Sequence, residues 1–173
     1  FDPLIDNINP KDRSEDLLEL TASQEGLLLT SLDSKDYAVL NIDDENIENL
    51  KKNVHANKIT VSTKNKNSDF FIENVQNFVD KFLVTFIHLG KQYKINIANP
   101  LPKHFAYSFV LAIAASLTKE MKIENSIEIL QKNFSLPPGR MTVFKGIKDT
   151  ILIDSSYNNA TLTPILDLLD FVY

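Results

Sequence analysis

LPPGRMTVFKGIKDTILIDSSYN, residues 136–158, is the stretch that decides the fold of this chain. Its Pro-Pro-Gly turn ends the element before it and redirects the chain. Alternating apolar residues after Arg140 predict a strand, Gly146 predicts a hairpin-like turn, and the apolar residues 151–153 predict a short buried strand. That strand ends in the polar run that begins at Asp154. Carboxylates and hydroxyls at the carboxyl end of a buried strand lie where α/β proteins bind ligands.

The composition excludes several classes of protein. Hydrophobic residues make up 43% of the 173 residues, which is enough for a sizeable core. The net charge of −5 argues against broad binding of nucleic acid. No apolar run approaches the roughly 20 residues that span a bilayer, and the chain has no cysteine, which fits a reducing compartment. We therefore expect a cytoplasmic protein without membrane or nucleic-acid partners.

Strands and helices alternate along the rest of the chain, which predicts an α/β fold. The predicted strands are Tyr37 to Leu40, Lys58 to Thr63, Asp69 to Val75, Phe82 to Leu89 and Gln92 to Ile97, and the predicted helices are Phe109 to Leu117, Ile123 to Asn133 and Thr161 to Tyr173. Gly90 is predicted to join two of these strands in an antiparallel hairpin. We expect three layers, with the Phe109 helix packed against a sheet that includes Thr150–Asp154.

Polar residues at the end of the first of these strands are the next candidates for function. Asn41 directly follows the apolar run, so its side chain is expected at the carboxyl edge of the sheet. Asp43 and Asp44 come just before a predicted helix, where N-cap hydrogen bonding is a sufficient explanation for both. Asn41 is therefore the better ligand candidate of the three.

Several short motifs, in this order, resemble those of the Mur ligase family, the ATP-dependent amide-forming enzymes of peptidoglycan synthesis. They are Val-Leu-Asn-Ile-Asp-Asp at 39–44, the start of an alanine-rich helix at His104, Pro-Gly-Arg at 138–140, and Asp-Ser-Ser-Tyr-Asn at 154–158. The likeness spans nearly the whole chain. Within the family it is greatest to the ligases that add D-alanyl-D-alanine to UDP-N-acetylmuramoyl-tripeptide.

The resemblance implies a division of the chain into two domains. Residues 1–139 are similar to the later half of the central ATPase domain, a mixed sheet with flanking helices and an antiparallel addition. Residues 140–173 are similar to the start of the Rossmann-like C-terminal domain. The sequence contains no Gly-x-x-x-x-Gly-Lys-Ser/Thr phosphate-binding loop. We therefore expect a monomeric fragment that by itself neither hydrolyses ATP nor forms an amide.

The resemblance also implies which residues contact the nucleotide. Ser108 stands where the family has an asparagine that meets the adenine, and Arg140 would supply a cation to the ATP phosphates. Asp154 would lie near the ribose hydroxyls, with Ser155 at the position of the likelier ribose ligand. The full implied set is Asn41, His104, Ser108, Arg140, Asp154, Ser155, Tyr157 and Asn158.

Two further positions correspond to magnesium ligands of the family. Asp12 falls at the position of a histidine, and Glu25 at that of a lysine that is carbamylated and so presents a carboxylate. Carboxylate oxygens suit a hard divalent cation, so a magnesium site shared by Asp12 and Glu25 is one interpretation. The other is that both are solvated carboxylates with no ion.

Three functions stay open on the sequence. The first is a piece of an ATP-dependent ligase that joins an amino acid or dipeptide to a UDP-N-acetylmuramoyl peptide through an acyl phosphate. The second is a Mur-like scaffold that has lost catalysis, favoured by the changed residues at Asp12, Glu25, Ser108 and Ser155. The third is a folylpolyglutamate synthase-type ligase, disfavoured by the Ser-Tyr-Asn segment after Asp154.

Overall fold

The computed structural model describes residues 26–78, 80–140 and 142–154, together with Ser156 and Leu166. After a helical segment at 26–30, the elements are β1 (Tyr37–Asn41), α1 (Glu45–Leu50), β2 (Asn57–Ser62), β3 (Phe70–Asn77), β4 (Phe82–His88), β5 (Lys91–Ile97), α2 (Phe105–Leu117), α3 (Ile123–Asn133), β6 (Thr142–Lys145) and β7 (Ile151–Asp154). The helix predicted for Thr161 to Tyr173 lies, apart from Leu166, outside the described residues. Within the described ranges, no helix is both long and apolar enough to cross a membrane.

The first five strands form one mixed sheet in the order β1-β2-β3-β4-β5, with β1, β2 and β3 parallel. β2 and β3 are paired at only two positions, Val61 with Phe70 and Ser62 with Phe71. Parallel neighbours usually need a crossover of about a dozen residues or more. The shorter loop 63–69 is sufficient here because β3 starts beside the end of β2, so the chain need not return along the full length of the sheet.

The antiparallel part of the sheet contains the predicted hairpin. β4 pairs antiparallel with β5, and His88 lies opposite Lys91. The two loop residues between them, Leu89 and Gly90, have φ of 49° and 74°. A type I′ turn requires positive φ at both central positions, and this turn matches the right-handed twist of the strands. The prediction of an antiparallel hairpin through Gly90 is confirmed.

The main core lies between the sheet and the helices α2 and α3. Along β4, Phe82, Val84 and Phe86 are buried and alternate with half-buried residues, so one face of the strand points into this core. Residues of both helices complete the same cluster, including Val110 of α2 and Ile127 of α3. The predicted packing of the Phe109 helix against the sheet is therefore confirmed for the five-stranded sheet.

A second, smaller core covers the opposite face of the sheet at β1. Ala38 and Leu40 pack there with residues of α1 and of the segment that follows it, whereas Val39 faces the main core. Gly26 of the first helical segment is buried, and Leu50 fills the space that a side chain at Gly26 would need. Helices thus lie on both faces of β1, which confirms the α/β class and gives three layers at this end of the sheet.

β6 and β7 correct one expectation from the sequence. Residues 151–154 do form a strand, but it pairs antiparallel with β6 in a separate two-stranded sheet instead of joining the main one. Ile151 is 43% exposed and Leu152 is 61% exposed, so the prediction of a buried strand was wrong. An apolar run indicates burial only where other elements cover the strand, and no third strand pairs with this hairpin among the described residues. The boundary between 139 and 140 stays a prediction.

The predicted hairpin-like turn at Gly146 is confirmed between β6 and β7. Gly146 donates its backbone N–H to the Thr150 carbonyl at 2.7 Å, so it closes the turn. The left-handed conformation, however, belongs to Lys148, with φ of 56°, inside a short 3-10 segment. A glycine is thus not needed at Gly146 for its φ, since that residue has φ of −88°.

Candidate functional site at the carboxyl edge of the parallel strands

The carboxyl ends of β1 and β2 bring the candidate residues of two loops together. β1 ends at Asn41 and β2 ends at Ser62, and parallel strands present such ends at the same edge of a sheet. The Asn41 side-chain oxygen accepts the Asp43 N–H at 3.1 Å. This bond holds the Asn41 amide within the loop, and a ligand could be bound through its NH₂ group or the second lone pair of its oxygen.

Asp43 lies at the centre of a hydrogen-bond network at this edge. Its Oδ2 accepts the Thr63 N–H at 2.6 Å, the Thr63 hydroxyl at 2.9 Å and the Tyr107 hydroxyl at 2.6 Å. Its Oδ1 accepts the Ser62 hydroxyl. The Thr63 and Tyr107 hydroxyl oxygens are themselves 2.8 Å apart. One carboxylate therefore joins the loop after β1, the end of β2 and the helix α2.

The network corrects the sequence interpretation of the two aspartates. Asp44 is the N-cap of α1, since its Oδ1 accepts the Asn46 N–H at 2.9 Å, as predicted. Asp43 has a different role, because its side chain turns to β2 and α2. One signal for this network is present in the sequence: the polar pair Ser62-Thr63 stands at the end of β2, as Asn41 stands at the end of β1.

The protonation states of the network are set by its hydrogen bonds. Burial by itself raises the pKa of Asp43, but hydrogen bonds from Ser62, Tyr107 and Thr63 outweigh that effect and lower it from 3.8 to about 2. Burial and the hydrogen bond to Asp43 raise the pKa of Tyr107 to about 12. At neutral pH the pair is therefore a carboxylate and a protonated phenol.

These states restrict what Asp43 can do chemically. A general base works best with a pKa near the operating pH, and Asp43 is far below it. A carboxylate has about four lone-pair sites; the Thr63 N–H, the Thr63 hydroxyl and the Tyr107 hydroxyl all donate to Oδ2, whereas Ser62 donates to Oδ1. The lowered pKa and the four hydrogen bonds therefore indicate that Asp43 positions its neighbours and is not a general base.

The first turn of α2 carries two of the predicted nucleotide residues on either side of Tyr107. His104 is the N-cap of the helix, is exposed, and lies with its ring centroid 4.8 Å from that of Phe105. Ser108 is exposed as well, whereas Tyr107 is half-buried against Asp43. The structure thus places His104 and Ser108 on one helical turn. Tyr107, which is not among the predicted site residues, connects that turn to the strand edge.

An open cavity of about 480 Å³ lies beside the network. It is lined by Ile42, Asp43, Glu45, Lys64 and Asn65. The loop on one side is held by Ser62, whose hydroxyl accepts the backbone N–H groups of Lys64 at 3.0 Å and Asn65 at 2.7 Å. The cavity therefore has carboxylates on one wall and a lysine and an amide on the other.

The β6–β7 hairpin brings the Pro-Gly-Arg turn next to the predicted residue Asp154. Asp154 ends β7 and accepts the Ser156 N–H at 3.1 Å. Hydrogen bonds from the side chain and backbone of Ser156, and from the backbone of Gly139, lower the pKa of Asp154. Arg140, directly after Gly139, is exposed, and its own N–H bonds the Pro137 carbonyl at 3.2 Å. The Pro-Gly-Arg turn and the Asp-Ser strand end, distant in sequence, are thus neighbours.

The remaining predicted residues lie outside the described part of the chain. They are the magnesium candidates Asp12 and Glu25 and the nucleotide candidates Ser155, Tyr157 and Asn158. Among the described residues, no three histidine, aspartate or glutamate side chains converge as a metal-binding cluster. Both sets of assignments stay predictions.

Solved structures show the same fold. MurF from Acinetobacter baumannii matches with a TM-score of 0.70 and 12% identity, over 84% of this chain and 31% of that chain. MurF from Thermotoga maritima, solved in complex with ADP, matches with a TM-score of 0.64 and 17% identity, over 87% of this chain and 34% of that chain. Folylpolyglutamate synthetase from Lactobacillus casei matches with a TM-score of 0.64 and 10% identity, over 93% of this chain and 41% of that chain.

Identities this low establish a common fold and nothing about activity, and the chain spans only about a third of the length of the two MurF structures. No curated protein matches the sequence. The sequence profile of the Mur ligase middle domain, however, matches residues 16–116, which is more than half of the chain. That range contains the mixed sheet, the strand ends at Asn41 and Ser62, and nearly all of α2. The chain therefore belongs to the Mur ligase family.

Proposed function

We propose that the chain is the later part of the central ATP-binding domain of an ATP-dependent ligase that forms an amide bond on a peptidoglycan precursor. The match of the Mur ligase middle domain over residues 16–116 is the observation that carries this proposal. The polar residues at the carboxyl edge of β1 and β2 support it, because this edge is where open α/β sheets bind ligands.

In this proposal the nucleotide contacts two groups of residues. Asn41, His104 and Ser108 would lie on the side of the base, where hydrogen bonds and stacking select adenine. Arg140 would face the phosphates, to which a guanidinium can donate two parallel hydrogen bonds. Asp154 and Ser155, with Tyr157 and Asn158 after them, would contact the ribose. The hydrogen bond between Asp154 and the Gly139 backbone supports a common site for the last third of the chain.

Magnesium is the metal that the donor set fits. Asp12 and Glu25 offer carboxylate oxygens, the ligands that a hard divalent cation prefers. When bound, the ion would neutralise charge on the ATP phosphates during transfer. Glutamate is charged without modification, so this ligase would need no carbamylation of a lysine at Glu25.

The chemistry proposed for the whole protein has two steps. A substrate carboxylate oxygen bonds to the γ-phosphorus of ATP as the bond to ADP breaks, which gives an acyl phosphate. The amine of an amino acid or dipeptide then bonds to the acyl carbon, phosphate leaves, and the amine loses a proton. The acceptor proposed is a UDP-N-acetylmuramoyl peptide, and D-alanyl-D-alanine is the first amine to test.

We further propose that residues 1–139 belong to the central domain and 140–173 to the C-terminal domain of a monomeric, cytoplasmic enzyme. Because the chain covers only part of the solved relatives and contains no Gly-x-x-x-x-Gly-Lys-Ser/Thr loop, the 173 residues alone are expected to release no phosphate from ATP.

The test is release of phosphate and formation of amide by the full protein that the gene encodes. We expect ATP hydrolysis that requires both a UDP-N-acetylmuramoyl peptide and an amine, with no added bicarbonate. Arg140→Ala should lower the rate at least about tenfold, because it removes a cation from the phosphates. Lys145→Ala is the matched control, since it removes a cation from the same hairpin, and should change little. No nucleotide binding and no phosphate release by the full protein would contradict the proposal.

A catalytically degenerate scaffold is the second candidate. Serine at Ser108 can make fewer hydrogen bonds than an asparagine, which donates and accepts together as an adenine edge requires. Binding of ATP without any turnover would favour this candidate. Turnover with a folate and glutamate instead of muramoyl peptides would favour a ligase of the folylpolyglutamate type, for which the similarity to the Lactobacillus casei structure is the supporting observation.

A further inference from the structure

We propose that Tyr107 is a positioning residue for nucleotide recognition: its hydrogen bond to Asp43 orients the first turn of α2 so that Ser108 faces the base. This inference rests on the proposed nucleotide-binding function. It adds two residues to the site: Asp43, which lies in the motif at 39–44 but was predicted only as a helix N-cap, and Tyr107, which had no predicted role.

The first argument concerns what holds α2 in place. The buried residues of α2 are Ala106, Phe109, Val110, Ile113 and Ala114. Apolar contacts of this kind are non-directional, so they tolerate small rotations and shifts of the helix. A hydrogen bond loses strength steeply with angle and distance. The 2.6 Å bond from Tyr107 to Asp43 is therefore a directional contact between the first turn of α2 and the strand edge.

The second argument concerns the rigidity of the acceptor. Asp43 is held at three other points, by the hydroxyl of Ser62 and by the N–H and hydroxyl of Thr63. The Tyr107 hydroxyl also lies 2.8 Å from that of Thr63. Tyr107 thus donates to Asp43 Oδ2, an oxygen that cannot shift without breaking its hydrogen bonds to Thr63.

The third argument concerns what this orientation controls. Ser108 follows Tyr107 directly, and His104 precedes it by three residues, about one turn of a helix. Both are exposed while Tyr107 is half-buried. A rotation that released Tyr107 would move both exposed side chains together. In this proposal Tyr107 acts on the ligand through Ser108.

The experiment measures binding of ATP and of inorganic tripolyphosphate, each with magnesium, to the full encoded protein. Tyr107→Phe keeps the ring and removes only the hydroxyl. We expect it to weaken ATP binding by roughly threefold to tenfold and to leave tripolyphosphate binding unchanged. Tyr93→Phe is the matched control, because it removes a hydroxyl from a tyrosine of β5 that packs on Phe86 of β4. It should change neither affinity.

A double-mutant cycle separates positioning from a merely structural role. If Tyr107 acts through Ser108, then Tyr107→Phe combined with Ser108→Ala should weaken ATP binding no more than the larger single change. Asp43→Asn, which keeps the shape of the side chain, should reproduce the selective loss of ATP affinity. This second variant tests the same link if Tyr107→Phe folds poorly.

The outcomes are distinct. The positioning role would be overturned by any of three results: equal loss of ATP and tripolyphosphate affinity, additive losses in the cycle, or unchanged ATP affinity in Tyr107→Phe. In each of these cases, binding of ATP by the wild-type protein would still support the proposed function. Failure of the wild-type protein to bind ATP at all would overturn the proposed function and this inference with it.

Discussion

Replacing Asp43 with asparagine should change the dependence of stability on pH in a predictable way. The Asp43 carboxylate accepts hydrogen bonds from Ser62, Thr63 and Tyr107, and these lower its pKa from 3.8 to about 2. A shift of that size corresponds to at most about 2.5 kcal/mol of stability. Asp43 is only half-buried, so solvent screening reduces the expected contribution to about 1 to 1.5 kcal/mol.

The sign follows from where the protons bind. Between pH 4 and pH 2, roughly, the unfolded chain binds a proton at Asp43 and the folded chain does not. The contribution is therefore fully present above the unfolded pKa of 3.8 and is lost as the pH falls through about 2. Asparagine has no charge to titrate, so the variant lacks this part of the pH dependence.

The assay is urea unfolding of the 173-residue chain and of Asp43→Asn at several pH values between 2 and 7. All other carboxylates titrate in both proteins and cancel in the difference between the two free energies of unfolding. We expect wild type to exceed the variant by about 1 to 1.5 kcal/mol at neutral pH and this excess to fall by about 1 kcal/mol near pH 2. A difference that does not change with pH would refute the network as the cause of the lowered pKa.

Three further predictions follow from the described residues. In an alkaline titration followed by tyrosinate absorbance, one tyrosine should ionise only near pH 12, and Tyr107→Phe should remove that late step. If a different tyrosine variant removed the late step instead, the assignment to Tyr107 would be contradicted. In the β4–β5 turn, Leu89→Asn should stabilise the chain by about 0.5 to 1 kcal/mol, because asparagine tolerates positive φ, whereas Gly90→Ala should destabilise it by about 1 kcal/mol. Thermal unfolding measures both changes, and equal effects would argue against a turn with two positive φ values. Phe86→Ala should lower the free energy of unfolding by about 3 to 5 kcal/mol because Phe86 is fully buried. Leu152→Ala, at a position that is 61% exposed, should lower it by less than about 1 kcal/mol, and a larger decrease would show that other residues cover the hairpin.

Local sequence patterns were sufficient for most of the elements. The helix at Ile123–Asn133 has the predicted bounds, because its apolar spacing and the prolines after it are signals within one segment. The hairpin through Gly90 and the strands on either side of it were predicted for the same reason. The order of weak motifs along the chain was also sufficient to indicate the family, which the profile match over residues 16–116 then established.

The burial of individual strands and the hydrogen-bond partners of side chains could be identified only from the tertiary structure. The run Ile151–Ile153 has the composition of a central strand, yet its exposure depends on which elements cover it, and that is a property of distant segments. The role of Asp43 was hidden for a similar reason. As an acidic residue before a helix it matches an N-cap, but its actual partners at Ser62 and Tyr107 are separated from it by 19 and 64 positions.

The sequence by itself therefore determined the α/β class, the positions of most of the described strands and helices, and the resemblance to a family. Those properties depend on periodicity, on turn residues and on motif order, all of which can be read along one chain. The tertiary structure alone decided that Asp43, Thr63 and Tyr107 form one network and that the hairpin ending at Asp154 stays apart from the main sheet. Such contacts arise because packing brings remote residues within hydrogen-bond distance, and the angle and length of a hydrogen bond cannot be read from spacing in a sequence.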